Sequence, residues 1–222
     1  MIQAVIFDMD GLMFDTERVA YEMLHDICAR HGLNYTMDMK RRMCGANFDA
    51  CTRIFREELG IDDSVLTFGQ CWTEVRERME TEFTTQGIPC KPGLKELLDF
   101  LQGQGIGVAV ASGSSAAVVQ RYLDTAGVSA YFSAIVGGSD IKNPKPAPDC
   151  FLMAAERVGA QPADCLVLED SARGLQAALR AGMHAIWVPD LDVPDEQTTA
   201  KLDAVCETLH DVIGWLQTAC KG

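Results

Sequence analysis

The chain has 222 residues, 48% hydrophobic, 23% charged and 7% aromatic, a mix that belongs to a globular protein and excludes a disordered tail or a collagen-like repeat. Its 19 Lys and Arg against 32 Asp and Glu give a formal net charge of -13. Nucleic-acid phosphates and anionic membranes are therefore repelled at long range, and a small anionic ligand needs a local cationic pocket.

Taken in chain order, the first pattern is a short aliphatic run from Ala4 to Phe7, followed by Asp8, Met9, Asp10 and Gly11. A run so short and so apolar reads as a buried strand of a parallel sheet. From about Glu17 to Gln86 no strand pattern occurs, and four helical patterns parted near Gly32, Gly45 and Gly60 fill the interval. Alternation then begins. A helix runs through Leu94, Leu97, Leu98 and Leu101, a strand spans Gly107 to Ala111, and a helix follows through Val118, Val119, Tyr122 and Leu123. Next come a strand from Ala134 to Val136, a helix opened by Pro148, a strand from Cys165 to Leu168, a helix through Leu175 and Leu179, and a strand from Ala185 to Val188. The acidic stretch Pro189 to Glu196 reads as a surface loop. Strands alternating with helices predict an α/β fold with a Rossmann-like parallel sheet between two helical layers and right-handed crossovers. The strandless interval predicts an inserted α-helical domain over residues 16–87, leaving 1–15 and 88–222 as a core that is discontinuous in sequence.

Nine Cys, an odd number with no C-x-x-C pair, fit neither a zinc ribbon nor a complete disulfide framework and read as reduced thiols. The four His show no metal-ligand spacing. No run approaches the ~18 apolar residues of a membrane span, and no basic leader precedes the first strand. The expectation is a cytoplasmic protein without membrane or nucleic-acid partners.

The chemistry collects where strands end. Asp8 and Asp10 leave the first strand together, and close like charges raise one another's pKa unless a proton or a cation lies between them. Gly11 permits the turn that would splay them around one centre. After the second strand comes Ser112-Gly113-Ser114-Ser115, which can aim a hydroxyl and backbone amides at a phosphate or simply cap a helix. After the third comes Asn143-Pro144-Lys145-Pro146-Ala147-Pro148-Asp149, a stiffened loop carrying one cation. After the fourth comes Glu169-Asp170-Ser171. Carboxylates, a lysine and a hydroxyl at the carboxyl ends of parallel strands form a set suited to phosphoryl transfer with a hard, oxygen-ligated cation. There is no G-x-G-x-x-G after a strand and no G-x-x-x-x-G-K-[ST], which disfavours dinucleotide and NTP chemistry. In the helical interval Asn47 either caps the next helix or contacts substrate.

Together the ordered segments D-M-D-G-L-M-F-D-T-E, N-P-K-P-A-P-D and L-E-D-S-A-R-G resemble the haloacid dehalogenase-like superfamily, and within it the beta-phosphoglucomutase-like branch with a helical cap. The resemblance implies that Asp8 is a nucleophile forming an aspartyl phosphate and that Asp10 is the general acid and base. It implies that Ser112 and Gly113 hold the transferring phosphoryl group and that Lys145 neutralises charge beside Asp8. It also implies that Mg2+ is held by Asp8, the Asp10 carbonyl and Asp170, with Glu169 as a further ligand or support. Gly11, Thr16 and Asn47 join the phosphate and substrate contacts, although Thr16 also reads as the N-cap of a helix starting at Glu17. Mutases of this branch carry a His soon after the D-T pair and a basic first cap loop, whereas this chain reads Arg18-Val19-Ala20 and Cys44-Gly45-Ala46-Asn47. That departure favours hydrolysis of a small phosphorylated metabolite, a sugar phosphate first, over a mutase or a non-catalytic binder of phosphometabolites. A monomer or weak homodimer is expected.

Overall fold

The structure, a computed structural model, describes residues 1–219. Cys220 lies outside the described residues. The chain divides into two compact units, Met1–Asp15 with Ile88–Gly222, and Thr16–Gly87.

The first unit is built on a parallel sheet of β1 (Ala4–Phe7), β2 (Gly107–Ala111), β3 (Ala134–Val136), β4 (Cys165–Glu169), β5 (His184–Trp187) and β6 (Ala204–Val205), in the order β3-β2-β1-β4-β5-β6. All four residues of β1 are buried, as a central strand covered on both faces requires. Register sets the level at which the strands end. Phe7 pairs with Val110 on one side and Leu168 on the other. The residue after each of these, Asp8, Ala111 and Glu169, therefore emerges at one level on the carboxyl edge. The chain runs outward from β1 through β2 to β3 and then returns to place β4 on the other side of β1. Ligands of open α/β sheets bind at such a reversal.

One face of the sheet packs Ile6, Ala109, Val167 and Ala185 against α7 (Asp149–Val158) and α8 (Ala172–Arg180), through Phe151, Ala154, Leu175 and Ala178. Alanine on the strands lets the helices approach closely. Elsewhere in this unit α5 (Leu94–Gln104) buries Leu94, Leu97, Leu98 and Leu101 and packs with α10 (Leu209–Ala219), while α6 (Ala116–Thr125) turns Val119 and Leu123 inward. The stretch Pro189 to Glu196 is loop except for its last residue, which opens the short helix α9 (Glu196–Thr199). β6, α9 and α10 were not anticipated from sequence: a two-residue strand and a four-residue helix carry no usable periodicity, whereas α10 does, in its buried Leu209, Val212 and Leu216. The two connections to the second unit are laced together: Asp15 N–H donates to the Pro89 carbonyl at 2.9 Å and Lys91 N–H to the Met13 carbonyl at 2.9 Å, with Phe14 bridging Cys90.

The second unit holds α1 (Thr16–Arg30), α2 (Met37–Met43), α3 (Phe48–Leu59) and α4 (Phe68–Gln86). α1 includes Thr16 as its first residue, so Thr16 is not the cap outside a helix starting at Glu17; a helix end read from a cap signature shifts easily by one residue. Thr67 and Gln70 form a reciprocal capping box on α4. The core is aromatic and sulfur-rich: Tyr35, Phe55 and Phe83 are buried, and the Tyr35 hydroxyl donates to Met43 Sδ at 3.3 Å. Lys40 is buried against Glu17.

Candidate active site

Asp8 stands one residue past the end of β1 and is 8% exposed. Its Oδ1 accepts a hydrogen bond from the Lys145 ammonium. The same ammonium donates to Glu169 Oε1 at 2.8 Å and to the Ala111 carbonyl at 3.2 Å, and it lies 4.7 Å from the centre of the Phe151 ring. One cation thus ties together the exits of β1, β2 and β4. Burial pushes the Asp8 carboxyl up to about 7, opposed by Lys145 and assisted by Glu169 and Asp10. Lys145 shows the reverse balance: burial alone would lower it, but Asp8 and Glu169 hold it above its ordinary value. A single ammonium shared between two buried carboxylates leaves Asp8 short of positive charge.

Glu169 is committed on both oxygens. Oε2 accepts from the Ser171 amide at 2.6 Å and its hydroxyl at 2.9 Å, while Oε1 takes Lys145. Helix α8 makes room for this carboxylate at Gly174, where a Cβ would stand 1.6 Å from Glu169 Oε1. Asp170 is also buried, and its carbonyl accepts from the Trp187 indole at 3.1 Å.

Carboxylate oxygens of Asp8, Glu169 and Asp170 lie within 4.8 Å of one another. Three features show that this trio suits a divalent cation. The donors are all hard oxygens, which Mg2+ and Ca2+ prefer. The raised Asp8 is compensated only in part, because Lys145 is shared with Glu169. Gly11, at φ +85°, leaves a gap that a side chain would close, since its Cβ would meet Asp170 Oδ2 at 2.5 Å. Gly11 therefore gives the Asp170 carboxylate its space, a role the turn reading did not foresee.

Ser112, 1% exposed, follows β2 directly. Its hydroxyl accepts from the Ser114 amide at 3.0 Å and reaches Asp10 Oδ2 at 3.5 Å. Ser114 donates to the same Asp10 oxygen at 3.1 Å. Asp10 thus leans towards the serine turn, while Asp8 faces Lys145. Gly113 lies exposed between these serines. The structure brings together Asp8, Asp10, Gly11, Ser112, Gly113, Lys145, Glu169 and Asp170, all in the first unit. Thr16 and Asn47 belong to the second; Asn47 caps α3, accepting from the Ala50 amide at 2.9 Å.

Sequence reasoning missed three supports. Arg173 Nε donates to the Lys145 carbonyl at 3.1 Å, and Arg180 Nη1 to the Pro146 carbonyl at 2.7 Å, so α8 clamps the lysine loop. Ser114, the third, was read only as one of the hydroxylic residues opening a helix, not as a donor to Asp10. The arginines sit seven apart on one helical face, a spacing that could have pointed to a shared partner.

The chain is similar to several known proteins. The chain is 33% identical to the phosphorylated carbohydrates phosphatase of Thermotoga maritima over 84% of each chain. It is 32% identical to the fructose-1-phosphate phosphatase YqaB of Escherichia coli over 83% of this chain and 95% of that one. Its fold is similar to that of the solved beta-phosphoglucomutase of Clostridium difficile, with a TM-score of 0.73 at 23% identity, covering 98% of this chain and 96% of that one. Residues 5–188 match the family model of the haloacid dehalogenase-like hydrolases. With the acid pair after β1, the lysine loop and the Glu169–Asp170 exit in one unit, the chain belongs to the haloacid dehalogenase-like hydrolase family.

Proposed function

We propose that this protein is a Mg2+-dependent phosphatase of small phosphomonoesters, sugar phosphates first among them, acting through an aspartyl phosphate on Asp8. The observation that carries this reading is the Lys145 ammonium held between Asp8 and Glu169 beside Asp170. The names of the relatives, a phosphatase of phosphorylated carbohydrates and a fructose-1-phosphate phosphatase, support the substrate class.

Asp8, Asp170 and the Asp10 carbonyl would hold the cation, with Glu169 in support because both its oxygens already have donors. When bound, Mg2+ supplies positive charge to the phosphate oxygens and to Asp8. The remaining steps belong to the chain itself. Ser112 and the Gly113 amide orient the phosphoryl group. A carboxylate oxygen of Asp8 attacks phosphorus while the bond to the sugar oxygen breaks, and Asp10 gives that oxygen a proton. Asp10 then takes a proton from water as the water oxygen attacks phosphorus. The Asp8–phosphorus bond breaks, releasing inorganic phosphate and restoring both carboxyl groups. Lys145 offsets the charge that builds beside Asp8. The stretch Arg18-Val19-Ala20, where a mutase of this branch would carry its His, has none, which favours water as the acceptor.

A panel of sugar phosphates with and without Mg2+ tests the activity, and Asp8→Asn tests the route. The variant is expected to lose turnover by at least ~10³-fold and to form no acid-stable phosphoenzyme. Wild-type turnover by that variant would end the aspartyl-phosphate reading.

A further inference from the structure

Asp170 is not the only carboxylate that borders Gly11. A Cβ on Gly11 would meet Asp170 Oδ2 at 2.5 Å and Asp190 Oδ2 at 3.2 Å, so both oxygens border one small space. Asp190 lies in the loop after β5, and its side chain is 3% exposed. Its two oxygens are treated differently. Oδ1 accepts from Lys91 Nζ at 2.8 Å, and that ammonium also lies 3.7 Å from Asp15 Oδ1. Oδ2 is buried and has no hydrogen-bond partner among the described residues.

Leaving a charged acceptor buried without a donor is costly, and here a second carboxylate oxygen stands close by. A latch between the β5 loop and the 88–91 connection would account for Oδ1 through Lys91. It would not account for Oδ2. Asp190 is also outside the Asp8, Glu169 and Asp170 trio, so it is not placed to bind the same ion directly. A donor in the space that Asp190 Oδ2 and Asp170 Oδ2 both border would supply the missing partner. Mg2+ keeps several waters when proteins bind it, and those waters are strong donors that need acceptors of their own.

We infer that Asp190 is a positioning residue for the divalent cation: its Oδ2 accepts a hydrogen bond from a water in the ion's hydration shell beside Asp170, and Lys91 fixes the carboxylate through Oδ1. This rests on the assignment of Asp8 and Asp170 to Mg2+ proposed above. It adds a residue from a fifth strand exit, outside every motif that carries the family resemblance.

The test is calorimetric titration of the full chain with Mg2+ alone, without substrate. Asp190→Asn keeps the shape and removes the charge; it is expected to weaken Mg2+ binding about 10- to 100-fold and, through the lost pair with Lys91, to lower the melting temperature of the metal-free protein as well. A latch alone would lower that melting temperature and leave Mg2+ affinity intact, which would overturn the inference. Asp170→Asn separates the two levels. If it binds Mg2+ as wild type does, the metal assignment itself falls; if it loses binding while Asp190→Asn retains it, only the role of Asp190 falls. Should Asp190→Asn fail to fold, wild-type crystals grown with Mn2+ decide. A water on the ion hydrogen-bonded to Asp190 Oδ2 supports the inference, and an ion whose waters all avoid that oxygen overturns it.

Discussion

A single ammonium decides how this centre is charged. Lys145 faces two buried carboxylates, and the surroundings hold it in place from both sides: Phe151 beneath the ammonium, and Arg173 on its own carbonyl. Its importance was legible in the sequence because it is the one cation in the proline-stiffened segment Asn143 to Asp149. The space around Glu169 was not legible. Nothing in the string E-D-S-A-R-G says that the glycine clears a carboxylate five residues earlier, since that depends on how the first turn of α8 folds back over the end of β4. Gly174→Ala should therefore displace Glu169 and loosen Lys145. Alanine ordinarily strengthens a helix by up to ~1 kcal/mol over glycine. Here the expected result is a less stable protein, by about 1–3 kcal/mol in denaturant melts, with reduced phosphatase turnover. A gain in stability would mean that Glu169 has room to move aside.

Among the elements, strands were easier to read than their ends. Aliphatic runs bounded by Gly, Pro and acids marked β1 to β5, but β4 extends one residue further, to Glu169, and β5 is shifted one residue earlier, to His184–Trp187. Those boundaries depend on pairing with neighbouring strands, which composition does not reveal. In the helical unit the pattern around the glycines marked four helices, but the pairing of α1 with α2 through Glu17 and Lys40 had no sequence signature at 23 residues' separation. Burial alone would push Lys40 down, and Glu17 more than compensates, holding it above its ordinary 10.5. A lysine raised in this way stabilises the fold fully below its unfolded value and loses the effect only as pH rises through its folded one. Glu17→Gln should thus cost about 1–3 kcal/mol, reduced from the range for fully buried pairs because Glu17 is one-third exposed. The loss should be nearly constant between about pH 6 and pH 9 in thermal melts. A difference that vanished within that window would show that the pair is not what holds Lys40.

Over the whole molecule, a net charge of -13 coexists with a centre where Asp8, Glu169 and Asp170 crowd together, so the chain's average field opposes the anion that the centre is built to receive. Among the described residues no helix is long and apolar enough to cross a membrane. The order of motifs along the chain made the parallel sheet and the grouping of acids readable, because strand exits in such sheets share one edge. Asp190 escaped notice because it sits in an acidic loop that looks like ordinary solvated surface. The laced connections carry a consequence of their own. Asp15 and Pro89 are hydrogen-bonded, so the chain leaves the sheet unit and returns to it at adjoining points. Residues 16–87 behave topologically as a cassette, removable without unpicking a single β-ladder. A version in which a short glycine–serine turn replaces them should still fold and give the far-ultraviolet spectrum of the remaining α/β unit. Failure to fold would mean that the sheet unit draws stability from the segment it hosts. If the cassette can be swapped, new specificities could be acquired by replacing one contiguous stretch, while the phosphorus chemistry stays where the strands put it.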